Sequence, residues 1–166
     1  MAPRSARLPT FRGPALLAAL SAAPLVFAVS GADAAQAPAD APAGVANLQR
    51  AWQNWTLNCQ GCHVDGTGSA ATAPRLAGTV ARFLRMSGGR EYLGRVPGVA
   101  TSPLSDADLA EVVNWMLWRF DKGNLPPTFR PFTAAEIGRL RTQPLRLEAS
   151  QMRAALLHDA EQSGAP

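Results

Sequence analysis

The chain has 166 residues, with 16 Lys and Arg against 12 Asp and Glu, a formal charge of +4. Arg4, Arg7, Arg12 and Asp33 all fall in the first 34 residues, so the remainder carries 13 cations against 11 acids, an excess of only +2. That balance gives nucleic-acid binding no electrostatic support, although a local basic face for a protein partner remains compatible with it.

In chain order, the three arginines lead into an apolar run, Ala15 to Val29, interrupted by Ser21 and Pro24 and succeeded by Ala32-Asp33-Ala34. A basic leader, an apolar stretch and an A-x-A site predict an export signal over 1–34, with Ala35 opening the mature chain. The run is about 15 residues, short of the ~20 that a spanning helix needs. An uncleaved membrane anchor is the alternative, and after cleavage no segment is long or apolar enough to span. Residues 35–45, rich in Ala and Pro, read as a flexible linker. The mature chain amounts to one domain.

The first helix is predicted over 46–60, where Ala51, Trp55 and Cys59 recur every four residues and Leu48 joins their face. It runs into Cys59-Gln60-Gly61-Cys62-His63, a C-x-x-C-H pentapeptide and the attachment signature of c-type haem. Thiols at i and i+3 share one face of a helical turn and can each close a thioether onto a haem vinyl group. The next residue, His63, is then held against the iron as its proximal axial ligand. Attachment of this kind takes place outside the cytoplasm, in a bacterium in the periplasm, which agrees with the export signal.

Residues 64–78 read as a loop with turn chemistry at Asp65-Gly66-Thr67-Gly68. A short helix at 79–86 carries Val80, Phe83 and Leu84 and stops at Gly88-Gly89. Residues 91–96 form a further helical turn, broken by Pro97 and Gly98. The strongest helix spans 106–120. Ser105 is its N-cap, Asp106 and Asp108 occupy its first turn, and Leu109, Val112, Val113, Met116, Leu117 and Phe120 form a wide apolar stripe. Trp115 borders this stripe and Trp118 points away from it, which calls for a cover, either from the extension over 125–161 folding back or from a partner protein. After a Pro-rich break at 125–131, Thr133-Ala134-Ala135-Glu136 is a capping box opening a short helix, and a last helix is predicted over 148–161. No stretch alternates as a strand does, so the fold class is all-α. A thiol–disulfide oxidoreductase is disfavoured by the lack of a βαβ pattern around C-x-x-C. A zinc site is disfavoured by the shortage of ligands.

From about Val45 to Phe120 the chain resembles the small soluble monohaem cytochromes c. Ala51, Trp55 and Cys59 match the family's small residue, aromatic and first haem cysteine. Pro74-Arg75-Leu76 matches its Pro-x-Leu loop. Leu104-Ser105-Asp106 and Asn114-Trp115-Met116 match the start and end of its C-terminal helix. The resemblance implies a cytochrome c-like helical fold around one covalently bound haem c over 46–121, with a C-terminal helical extension over 122–166. It also implies that Trp115 packs on Ala51 and Trp55, and that the Pro74 carbonyl accepts a bond from His63 Nδ1–H, orienting the ligand.

The family's distal ligand is a methionine with a proline directly after it, shortly before the C-terminal helix. The matching dipeptide here is Val96-Pro97, and valine cannot ligate iron. Met116 or Met86 is the leading substitute, each weighed against ordinary core packing. Met152 and His158 are further candidates in the extension, and an iron with no distal side chain is the remaining alternative. Among Arg82, Arg85, Arg90 and Arg95, one or two are candidates to pair with haem propionates, as is Tyr92, the only tyrosine.

The function expected from these features is a periplasmic electron carrier, more an electron-transfer protein than an enzyme. By family analogy its donor is a periplasmic dehydrogenase and its acceptor an oxidase. Two alternatives stand beside it: a haem protein with an open distal site, binding small ligands or acting as a peroxidase, and a cytochrome subunit of a periplasmic dehydrogenase.

Overall fold

The structure, a computed structural model, describes residues 41–68 and 73–162. The predicted export signal, its cleavage site and residues 35–40 of the linker lie outside the described residues. Among the described residues the fold is all-α, as expected, and no helix is long and apolar enough to cross a membrane.

Two helices form the frame. Helix α1 (Leu48–Asn58) begins at Asn47, whose side chain accepts the Arg50 N–H at 2.9 Å. Helix α4 (Asp106–Asp121) begins at Ser105, which accepts the Asp108 N–H at 3.1 Å. The two cross where Ala51 is fully buried, and Trp55 and Trp115 meet with ring centroids 5.8 Å apart. A small residue at the crossing lets the helix axes approach, as the resemblance implied.

The crossing is locked by a residue that the sequence pattern does not mark. Glu111, buried on α4, accepts the backbone N–H groups of Ala46 and Asn47 at 2.9 and 2.8 Å and the Arg50 Nε at 2.8 Å. These N–H groups sit at the start of α1, where no carbonyl of the helix can reach them. The contact with Glu111 raises the Arg50 guanidinium further above its ordinary range.

Between the frame helices the chain departs from a simple helix pattern in three places. Residues 80–85 wind as a 3-10 helix instead of an α-helix. Its three-residue period seats Val80 and Phe83 on the core, and the Ala81 N–H is taken by the buried Asp121 carboxylate at 2.7 Å. Helix α2 (Gly89–Arg95) starts two residues before the stretch that the apolar pattern marks, because Gly88 adopts φ +79° and turns the chain into it. Helix α2 ends at Arg95 and Val96 is extended, so the break ahead of Pro97 is as expected, but Pro97 then opens a short helix, α3 (Pro97–Ala100), a position where its fixed φ and missing N–H cost nothing.

The extension folds back onto this frame. Helix α5 (Ala134–Arg141), capped by Thr133, and helix α6 (Ala149–Gln162) bring Phe132, Ile137, Leu140, Leu145 and Leu156 into the same core as Trp55 and Leu117. Asn114 of α4 accepts the Phe132 N–H at 2.8 Å and donates to the Phe132 and Gly44 carbonyls at 3.0 and 3.3 Å. One side chain thus ties the extension and residues before α1 to the central helix. The last part of the predicted linker is packed here, with Pro42 and Val45 buried. Trp118 is half-buried, with the Lys122 ammonium 5.9 Å from its ring centroid.

Arg90 of α2 donates to Glu136 at 2.7 Å and to the Arg130 and Pro131 carbonyls, and lies 3.9 Å over the Phe132 ring. The hydrogen bond from Arg90 holds the Glu136 carboxyl below its ordinary value, outweighing the opposing effect of burial. A depressed carboxylate contributes stability above its unfolded pKa and loses it as pH falls through the folded pKa. The stability gap between wild type and Glu136→Gln is therefore expected to be widest at neutral pH and to close as the solution is acidified below pH ~4. Urea unfolding at a series of pH values checks this, and a gap independent of pH contradicts it.

Candidate haem-attachment site

Helix α1 runs directly into the C-x-x-C-H segment. The Cys59 and Gln60 N–H groups both return to the Trp55 carbonyl, at 2.8 and 3.1 Å, and the Cys62 and His63 N–H groups to the Cys59 carbonyl, at 3.2 and 3.1 Å. The motif is thus one further turn, with its orientation inherited from α1. Cys59 is half-buried at the edge of the core and Cys62 is exposed, and both are free thiols. Burial, with a smaller effect from Cys62, pushes the Cys59 thiol up to about 11. A thiol held protonated is the reverse of the activated thiolate that disulfide exchange or zinc binding needs.

His63 is half-buried, its ring centroid 6.3 Å from that of Trp55. Its Nδ1 lies 3.0 Å from the Pro74 carbonyl oxygen. A carbonyl only accepts, so Nδ1 carries the proton and Nε2 keeps its lone pair for a metal. Burial lowers the ring's pKa, opposed by the Pro74 bond, so the neutral, ligating form prevails at pH 7.

The loop between His63 and Pro74 is shaped by glycines that the sequence pattern marks only as turn chemistry. Gly66, at φ +76°, donates to the His63 carbonyl at 2.8 Å, and its own carbonyl accepts the Leu76 and Ala77 N–H groups at 2.8 and 3.0 Å. A Cβ on Gly66 would lie 2.5 Å from the Phe120 ring, which packs 4.9 Å from Trp55. Gly68, at φ +71°, brings the chain against the Pro74 peptide, where a Cβ would lie 2.7 Å from the carbonyl carbon and oxygen. Gly68→Ala is therefore expected to displace the carbonyl that orients His63 and to cost about 2 kcal/mol or more. Thermal unfolding reads the cost, and the chemical shift of the His63 Nδ1 proton reads the displaced bond; an unchanged signal for both contradicts the assignment.

The other candidate residues are distributed around the fold. Arg90 and Arg95 are engaged by the extension, Arg95 Nε donating to the Gln143 carbonyl at 2.7 Å. Arg82 and Arg85 are exposed. Tyr92 is buried against Phe83, ring centroids 5.0 Å apart, and burial raises its hydroxyl pKa. Met116 is buried within the α4 stripe. Met86 is half-buried in the turn after the 3-10 helix, and Val96 is half-buried against the core. Met152 is half-buried on α6 and His158 is exposed.

No family model matches the chain. It is similar to cytochrome c-552 of Thermus thermophilus, and to the cytochrome c-552 of one particular strain of that species. Each is 35% identical over 106 residues, a match covering 52% of this chain and 81% and 72% of the two relatives. Since 52% of 166 residues is about 86, about 20 of the 106 aligned positions have no counterpart here. With 35% identity over four-fifths of a relative's length and an all-helical frame, the chain belongs to the cytochrome c family.

Proposed function

We propose that this protein carries single electrons through one haem c, joined by thioethers to Cys59 and Cys62 and ligated on its proximal side by His63 Nε2. When bound, the haem supplies a one-electron couple at its iron. The chain's own residues do the rest. Helix α1 sets the spacing of the two thiols, Trp55 backs the His63 ring, and the Pro74 carbonyl holds the proton on Nδ1. The observation that carries this reading is the 3.0 Å His63–Pro74 contact next to two free thiols at i and i+3. A histidine already donating from Nδ1 presents the ligating nitrogen in the tautomer that metal binding requires.

Residues 1–34 act as the export signal, residues 46–121 form the haem domain, and residues 122–166 brace it. The protein works in the periplasm, taking electrons from a dehydrogenase and passing them to an oxidase. Family membership supports redox partner proteins in general, and the leader supports the compartment.

The test is expression of the full chain in a bacterium able to attach haem c. The expected product is periplasmic, begins at Ala35, keeps one haem per chain after denaturation, and shows one reversible one-electron wave. Haem that separates from the denatured chain, or a second redox wave, contradicts the reading.

A further inference from the structure

We propose that the iron's second axial position is left open to an exogenous ligand, a small uncharged diatomic molecule, instead of being filled by a side chain of this protein. This rests on the haem attachment proposed above. By resemblance, the segment before the C-terminal helix should supply that ligand. Here residues 87–105 contain no Met, His, Lys or Cys, and α2 runs to α4 through residues 96–105 alone, four of which form α3.

That segment is also tied down. Arg95 donates to the Gln143 carbonyl at 2.7 Å, and its own carbonyl accepts the Leu145 N–H at 2.8 Å. Arg141 donates to the carbonyls of Ala100, Ser102 and Leu104. The extension thus supplies the closure that an iron–sulfur bond would otherwise give this part of the chain.

The donors elsewhere are poorly placed to substitute. Met116 directly succeeds Trp115, whose ring lies 5.8 Å from that of Trp55 at a 42° tilt, and Met116 is itself buried in the core cluster, which commits it to packing. Lys122, the only lysine, and His158 are exposed. Met86 is the strongest competitor. Its backbone is held in a tight turn, its N–H on the Phe83 carbonyl and its carbonyl accepting the Gly89 N–H, both at 3.0 Å.

The class of ligand follows from the apolar surroundings of the attachment turn. Cys59 packs against a core cluster that includes Val80, Phe83, Leu93 and Val112. Among the described residues no buried side-chain nitrogen or oxygen lacks a partner. An anion entering such surroundings would lose its hydration without replacement, whereas a neutral diatomic molecule loses almost none.

The experiment uses the purified holoprotein, with haem attachment scored separately on denatured material. The ferric form is expected to be high-spin, and the dithionite-reduced form to take up carbon monoxide to one per haem. Met86→Leu and Met116→Leu are expected to leave both properties unchanged. A low-spin ferric spectrum with a sulfur-to-iron charge-transfer band, lost in either variant, overturns the proposal. So does a reduced protein that binds no carbon monoxide at saturation.

Discussion

Cys59→Ala and Cys62→Ala are each expected to abolish the wild-type form of haem attachment completely. Each variant keeps one thiol and His63, so one vinyl group stays unreacted and conjugated with the macrocycle. The pyridine haemochrome of any haem that remains should then be displaced to longer wavelength. The two variants are expected to differ in the folded state. Cys62 is exposed, whereas Cys59 is half-buried at the end of α1 and packs against the core. Losing the Cys59 sulfur therefore also loosens the turn that carries His63. Cys62→Ala should retain the greater amount of folded protein, and Cys59→Ala the lesser. If denatured protein from either variant gave a full wild-type haemochrome, the attachment assignment would fail.

Glu111→Ala is the substitution expected to cost most stability without touching the attachment residues. It strands the Ala46 and Asn47 N–H groups at the start of α1 and removes the partner of Arg50. Buried donors left without an acceptor cost ~1–3 kcal/mol each. Part of that returns through water at this partly open site, so a total of about 3 kcal/mol is expected. For a domain of this size that lowers Tm by on the order of 10 °C. Glu111→Gln keeps one carbonyl oxygen for the N–H groups and should cost about half as much. Arg50→Ala should cost under ~1 kcal/mol, because the arginine side chain is 49% exposed and its pairing is screened. The ranking Ala > Gln > Arg50→Ala, read by urea unfolding, separates a helix-terminus role from a simple ion pair. If Arg50→Ala proved as damaging as Glu111→Ala, the backbone contacts would not be the source of the effect.

These variants differ in how readily the sequence reveals them. Cys59, Cys62 and His63 are legible because haem attachment is a local demand: two thiols and an imidazole within a single helical turn. The His63–Pro74 contact is implied by family resemblance, and eleven residues separate its partners. Glu111 carries no such mark. It is one of several acids on a helix, and the N–H groups it serves are 64 and 65 positions away. Gly66 and Gly68 read as ordinary turn residues until Phe120 and the Pro74 peptide are seen against them. The 3-10 winding at 80–85 is equally hidden, since its apolar residues fit an α-helical face nearly as well and the Asp121 contact is made across 40 positions.

The arginines show the same limit. Arg90 and Arg95 read as candidate propionate partners because they belong to a cluster of arginines, with Arg82 and Arg85, ahead of the C-terminal helix of the expected haem domain. In the fold Glu136 and the Gln143 carbonyl engage them, 46 and 48 residues further along the chain.

By itself, then, the sequence determined the helical class, the positions of the main helices and the three residues on which the proposed attachment rests, because each depends on residues a few positions apart. Only the tertiary structure decided how α1 is anchored, that the C-terminal extension clamps the segment before α4, and how far each remaining methionine is committed to the core. Those outcomes come from hydrogen bonds and packing between residues tens of positions apart, and the short-range periodicity of a chain carries no record of which distant groups will meet.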